Sequence, residues 1–327
     1  MKMCNDFESI TQKVKDQWDN HKNIKERLNG WLDACKEGED KIRKAKKQFH
    51  QWHPLRVYVS VGKAKSNTAV FSLRFFGQEV TELVVKTKDE VKLSLSDKHH
   101  TGNSKWFGAS FLKRGKYSWN GGEAKMFRKF FKHFAANSGE KPKVRSDEHR
   151  IESKFIEEML KGRGKFSRPD LEIQPVTLGG CPLQFPVPFS ANKGKAERGP
   201  GHIDILARRK GKDNKVRLSV WELKKPKAYG KAAAQAYIYA LQLLYILRSE
   251  RGNEWYKLFG FNRPVPKSLE IEAVVAITDD QRKHFDFADK GKFWKNEING
   301  DVIKLYAAYY EEIAGGIILS KDSFRED

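Results

Sequence analysis

Apolar residues change rhythm three times along the chain. From Ile24 onward they recur four and three apart, at Ile24, Leu28, Trp31, Cys35, Gly38, Ile42, Ala45, Phe49 and Trp52. That heptad spacing predicts a helical arm over residues 1–53, either a coiled coil or a helical hairpin. The seam suits a homodimer contact or a face packed on its own domain. Asn29-Gly30 and Gly38 weaken a single unbroken helix, because glycine costs about 1 kcal/mol relative to alanine there.

The rhythm then shortens to two. Leu55–Val61, Thr68–Phe76, Glu79–Lys86 and Glu90–Ser96 alternate in character and are rich in β-branched and aromatic residues, which predicts strands. A helix follows over Gly122–Asn137, with Phe127, Phe130, Phe131 and Phe134 at core spacing and Lys125, Arg128, Lys129 and Lys132 on the remaining positions. Residues 54–140 thus read as a small, β-rich α+β domain. The polar stretch from Asn137 to His149 marks its end.

From residue 146 to 327 the elements alternate differently. A helix over Arg150–Lys161 precedes strands near Leu171–Leu178, His202–Arg208 and Lys215–Leu223. A long apolar helix, Ala228–Leu247, leads to the strand Leu269–Ile277, apolar enough to be covered on both faces. This order predicts an α/β domain with a mixed sheet flanked by helices.

Charge sharpens the picture. Lysine and arginine total 63 against 42 acids, a formal +21. Residues 101–150 carry a net +8 and residues 201–250 a net +7, so the excess is concentrated in two blocks. Such blocks suit a polyanion, and DNA is the expected partner. Lys113, Arg114, Lys116, Lys125, Arg128, Lys129, Lys132, Lys225 and Lys227 are the candidate phosphate contacts. Three dispersed cysteines form neither a disulfide framework nor a zinc site, consistent with a reducing compartment. No signal-peptide pattern or membrane-length apolar run is visible, so the expected location is cytoplasmic, as for a bacterial intracellular protein, with no membrane partner.

The second block also holds candidate chemistry. Asp204 lies in G-H-I-D-I-L, and Glu222 ends the next strand, with Lys224 two residues on. Alternate strand residues share a face, so Glu222 and Lys224 point the same way, and Asp204 joins them if the strands are neighbours. Glu-x-Lys alone is weak, since it also occurs at Glu39, Glu90, Glu123 and Glu152. Its setting distinguishes Glu222: an alternating strand before it, Pro226 after it and an acid in the preceding strand. Two carboxylates and an ammonium suit oxygen ligation of a hard cation and attack on a phosphodiester. Gln235 and Tyr239 share one face of the following helix.

The series of Glu152 on a helix, Gly201-x-x-Asp204, Glu222-x-Lys224 and Gln235-x-x-x-Tyr239 resembles the PD-(D/E)XK nuclease superfamily, most closely its RecB-like branch. The resemblance spans residues 146–280. It implies a restriction-endonuclease-like αβββαβ core that cuts phosphodiesters with Mg²⁺ or Mn²⁺, leaving 5′-phosphate and 3′-hydroxyl ends. It further implies metal ligation by Asp204, Glu222 and the Leu223 carbonyl, with Glu152 completing the shell. Lys224 would position the nucleophile, and Gln235 and Tyr239 would brace the site. Ile203 replaces the proline of the family name, and Glu222 the aspartate frequent in the RecB-like branch. The expected activity is that of a metal-dependent deoxyribonuclease in restriction, defence or DNA processing. The basic N-terminal half would supply binding, specificity or dimerisation. The alternatives are a non-catalytic nucleic-acid-binding protein on the same scaffold and a structural partner of an acidic protein.

Overall fold

The computed structural model describes residues 4–46, 53–63, 68–86, 90–137, 146–161, 166, 168, 170–192, 195–223, 229–284 and 294–324. They form a mixed α/β chain that divides into two compact units. The N-terminal unit comprises residues 31–154 and 177–184, and the C-terminal unit residues 1–30, 155–176 and 185–327.

Residues of the expected arm form two helices, α1 (Cys4–Asn20) and α2 (Ile24–Lys46), separated by a turn at His21–Asn23. α2 runs through both glycines; Gly30 has open space where a Cβ would stand, so nothing but backbone freedom opposes the helix there. Of the described seam residues, Ile24, Leu28, Cys35, Gly38, Ile42 and Ala45 are buried within the chain itself, and Trp31 is half-buried. Those positions therefore serve as an internal packing face. Phe49 and Trp52, its last two positions, lie outside the described residues.

The N-terminal unit is built on a seven-stranded sheet. Its elements are β1 (Leu55–Ser60), β2 (Thr68–Phe75), β3 (Gln78–Lys86), β4 (Val91–Leu95), α3 (Asp97–Phe107), β5 (Gly115–Ser118) and α4 (Gly122–Asn137), with β7 (Thr177–Leu178) and β8 (Cys181–Gln184) added from later in the chain. The strand order is β5-β4-β3-β2-β1-β8-β7, antiparallel except where β8 runs parallel to β1. The expected strand over Leu171–Leu178 is therefore split, its end belonging to this sheet. Phe75 is the hub of the core: the rings of Phe107, Phe131 and Phe134 stand 4.9–5.8 Å from it. α3 caps with Ser96, whose hydroxyl accepts from the His99 N–H, and ends at Gly108 in the left-handed region.

The buried stripe of α4 is Ala124, Phe127, Arg128 and Phe131. Arg128 therefore lies on the core side of the helix and not on its phosphate-facing side, which corrects the expectation. Its Nη1 donates to the Trp119 carbonyl at 2.7 Å, and its guanidinium stacks 4.0 Å from the Trp119 ring. An arginine can occupy such a place because its planar cation stacks on an aromatic face while hydrogen-bonding in plane.

The C-terminal unit holds the second sheet. Its elements are α5 (Asp147–Leu160, in this unit from Phe155), β6 (Glu172–Pro175), the hairpin β9 (Pro186–Asn192) and β10 (Lys195–His202), β11 (Ile205–Lys210), β12 (Val216–Leu223), α6 (Tyr229–Leu247), α7 (Gly252–Leu258), β13 (Glu270–Thr278), β14 (Trp294–Ile298), β15 (Asp301–Ile313) and β16 (Gly316–Leu319). The strand order is β14-β15-β13-β12-β11-β6, with β16 on β15. β11 is antiparallel to β6 and β12, whereas β13 is parallel to β12 and β15. α6 packs on β12 and β13, and also meets α1 and the hairpin, so it is covered on several sides. That is why its residues from Ala232 to Leu247 are almost uniformly apolar. No described helix is long and apolar enough to cross a membrane.

On the other face of this sheet, Phe155 of α5, Trp221 of β12 and Phe324 pack ring against ring. Beside them Arg209 donates to both carboxylate oxygens of Glu272, at 2.7 and 2.6 Å, and its guanidinium lies 4.4 Å from the Phe324 ring. Glu272 has no solvent exposure. Arg209→Ala is expected to cost about 3–5 kcal/mol in urea unfolding, because it strands a buried carboxylate. The double variant Arg209→Met, Glu272→Leu should recover most of that loss.

Candidate active site

The pairing of β11 with β12 positions the acids. Ile205 stands opposite Trp221 at the end of the ladder, so the next residues outward, Asp204 and Glu222, face each other on one side of the sheet. Asp204 precedes β11 by one residue and is partly exposed; it does not lie inside the strand. Its Oδ2 accepts the Leu223 main-chain N–H at 2.9 Å, which pins the carboxylate against the open end of β12. Glu222 has no solvent exposure.

α6 closes over the two acids. Tyr239 is buried, and its phenol is pushed up to about 12, first by burial and then by the negative charge of Glu222, with Asp204 adding to it. Its oxygen accepts from the Gln235 Nε2 and from the Ala191 N–H, each at 3.4 Å. Gln235 and Tyr239 meet because they stand one helical turn apart. Asp204, Glu222, Leu223, Gln235 and Tyr239 are thus brought together around one strand end. Lys224, Lys225 and Lys227 lie outside the described residues.

Sequence reasoning did not find the hairpin that completes this wall. Gln242, fully buried on α6, accepts the Phe189 N–H at 2.8 Å and donates to the Phe189 carbonyl at 3.0 Å. One amide side chain therefore satisfies both main-chain groups of a hairpin residue. Gly201 sits beneath Tyr239: a Cβ there would lie 2.9 Å from the phenol oxygen and 2.8 Å from the Phe189 carbonyl oxygen. The motif glycine is required by this close approach. A polar glutamine in so apolar a helix was the signal that could have located Gln242.

Glu152 was expected to complete the metal shell. In the structure the Arg74 Nη1 donates to its carboxylate at 2.8 Å within the N-terminal unit, and both residues are buried. A buried guanidinium needs an anion, which gives Glu152 a structural partner independent of any metal. Of the candidate phosphate contacts, Lys113, Lys116, Lys125, Lys129 and Lys132 are exposed. Arg114 is exposed and ion-paired to Asp97 at 2.9 Å. Arg128 is buried, as described above.

Among the described residues one group of three brings metal-ligand atoms within 4.8 Å of one another: Glu79, Glu82 and His99. Lys63 already pairs with both carboxylates, its ammonium standing 2.6 Å from Glu82 and 3.4 Å from Glu79. The Ser96 N–H donates to His99 Nδ1, which leaves Nε2 carrying the proton that bonds Glu79 at 3.0 Å. Burial alone would raise the Glu79 carboxyl, but hydrogen bonds from His99 and Ser72 and the charge of Lys63 hold it down at about 2. This is a satisfied structural network. No family model, curated protein or solved structure matches the chain.

Gly201→Ala is expected to destabilise the protein by about 1–3 kcal/mol through overpacking, measured by denaturant unfolding. For Glu79 the depressed value means that its stabilisation is full above the unfolded value of 4.5 and is lost as pH falls toward about 2. The stability difference between wild type and Glu79→Gln should therefore shrink across that window, read from urea midpoints at successive pH values.

Proposed function

We propose that the chain is a divalent-metal-dependent nuclease of the PD-(D/E)XK type that hydrolyses DNA phosphodiester bonds. The observation that carries this reading is the juxtaposition of Asp204 and Glu222 at the open end of the β11–β12 pair, beneath Tyr239. The element order supports it: helix α5, strands β6, β11 and β12 in an antiparallel meander, helix α6, then β13 parallel to β12.

The donor set fits a hard cation. Asp204, Glu222 and the Leu223 carbonyl would hold Mg²⁺ or Mn²⁺ entirely through oxygen, the ligand type these ions take. Such an ion, when bound, supplies Lewis acidity toward the scissile phosphoryl group. The chain's own residues do the rest. The Leu223 N–H fixes the Asp204 carboxylate, removing rotamer freedom that ligation would otherwise have to freeze. Tyr239 stays protonated near neutrality because burial and the adjacent acids oppose its ionisation. Both of its hydrogen bonds use the oxygen as acceptor, so its proton remains available to a phosphate oxygen. Lys224 follows Glu222 by two residues in sequence and is the candidate for orienting the attacking water and stabilising developing negative charge.

The test is cleavage of plasmid and linear DNA, double- and single-stranded, with and without Mg²⁺. Wild type should cut only with the metal, and the isosteric Glu222→Gln should abolish cutting while retaining the wild-type melting temperature. Lys224→Ala should lose about 100-fold or more in rate. Salt-sensitive DNA binding with no metal-dependent product on any substrate would sink the enzymatic reading and favour a non-catalytic binder.

A further inference from the structure

The N-terminal unit leaves apolar side chains in open view inside its most basic surface. Among the described residues, five large hydrophobic side chains are exposed, and two of them, Phe111 and Met126, fall here, at 38% and 47% exposure. Met126 and Phe130 stand one turn apart on α4, each preceded by an exposed lysine, Lys125 and Lys129. Phe130 is only partly buried, and the Phe111 ring packs against it at 5.1 Å, tilted by 50°. A strip of Met126, Phe130 and Phe111 therefore runs along the helix with ammonium groups at its border. The core of the unit, centred on Phe75, is filled by Phe107, Phe131 and Phe134 and does not use Phe111 or Met126.

The charge identifies a polyanion as occupant, and the exposed rings choose among polyanions. In a duplex the base faces are stacked inside and unreachable, so phenyl and thioether groups laid against it would meet only hydrated sugar and phosphate. Unpaired nucleotides offer phosphates for the lysines and open base faces for the rings. Rings on a basic surface contribute affinity only toward the second kind of ligand.

We propose that this face, Phe111, Met126 and Phe130 bordered by Lys125 and Lys129, binds single-stranded nucleic acid by stacking bases between phosphate contacts. The inference deepens the nucleic-acid reading of the basic surface, and it stands or falls apart from catalysis at Asp204 and Glu222. Arg114 and Arg128 are outside this face, the first paired with Asp97 and the second bound to Trp119.

Binding is measured by fluorescence anisotropy on the full chain in EDTA, so that cleavage plays no part. The probes are an oligodeoxythymidylate and a duplex of equal length at the same salt. The single strand should bind about tenfold tighter, and Phe111→Ala should lose about tenfold of that affinity while leaving the duplex nearly unchanged. Phe111→Trp should retain the affinity, and Met126→Ala, at a still more exposed position, should repeat the loss in weaker form. Lys129→Ala should weaken both probes alike and reduce the salt slope. Duplex binding equal to or tighter than single-strand binding overturns the proposal. So does a folded Phe111→Ala that binds the oligothymidylate like wild type.

Discussion

The register between β11 and β12 is the constraint from which the C-terminal unit follows. Because Ile205 faces Trp221, the pair beyond it must be Asp204 and Glu222, and the two acids share a side of the sheet. Trp221 turns to the opposite side, where the Phe155 and Phe324 rings enclose it. A slip of one residue would exchange these environments, turning the tryptophan toward α6 and burying a carboxylate among aromatic rings, at high cost. The same hydrophobic contacts that stabilise the strand pair thereby hold the acids in place.

Burial on the acid side of the sheet explains the remaining wall. α6 lies on β12 and β13 and is in turn covered by α1 and the β9–β10 hairpin, so a helix of this composition needs few polar groups. Those it has are assigned. Gln242 completes the hydrogen bonds of Phe189, and Gln235 and Tyr239 meet over the carboxylates. Gly201 allows the hairpin to approach the phenol closely. Each of these contacts ties the hairpin to the helix and the helix to the acids.

The basic side chains divide by chemistry. Arg74, Arg128 and Arg209 are buried, each stacked on a ring and hydrogen-bonded to an acid or a carbonyl. Lys113, Lys116, Lys125, Lys129 and Lys132 remain at the surface. A guanidinium tolerates burial because it is weakly hydrated and planar, whereas an ammonium keeps its water. Among these side chains the positive charge at the surface of the N-terminal unit is thus carried mostly by lysine, although the sequence counts both residues equally.

Periodicity by itself determined the first four strands, the phenylalanine helix and, in the second half, helices α5 and α6 and strands β12 and β13, because each buries a continuous apolar face or run. The spacing of Asp204, Glu222, Gln235 and Tyr239 was legible for the same reason: strand and helix repeats fix which residues align locally. Three outcomes needed the tertiary structure. Glu152 repeats the Glu-x-Lys string of Glu222, yet it meets a buried arginine 78 residues away in sequence, a pairing no local pattern encodes. Arg128 fell on the buried stripe because the phase of α4 is set by Phe75 and Trp119, not by where its charges lie. Residues 177–184 joined the first sheet through β1, since two strands too short to announce themselves find their hydrogen bonds wherever an edge is open.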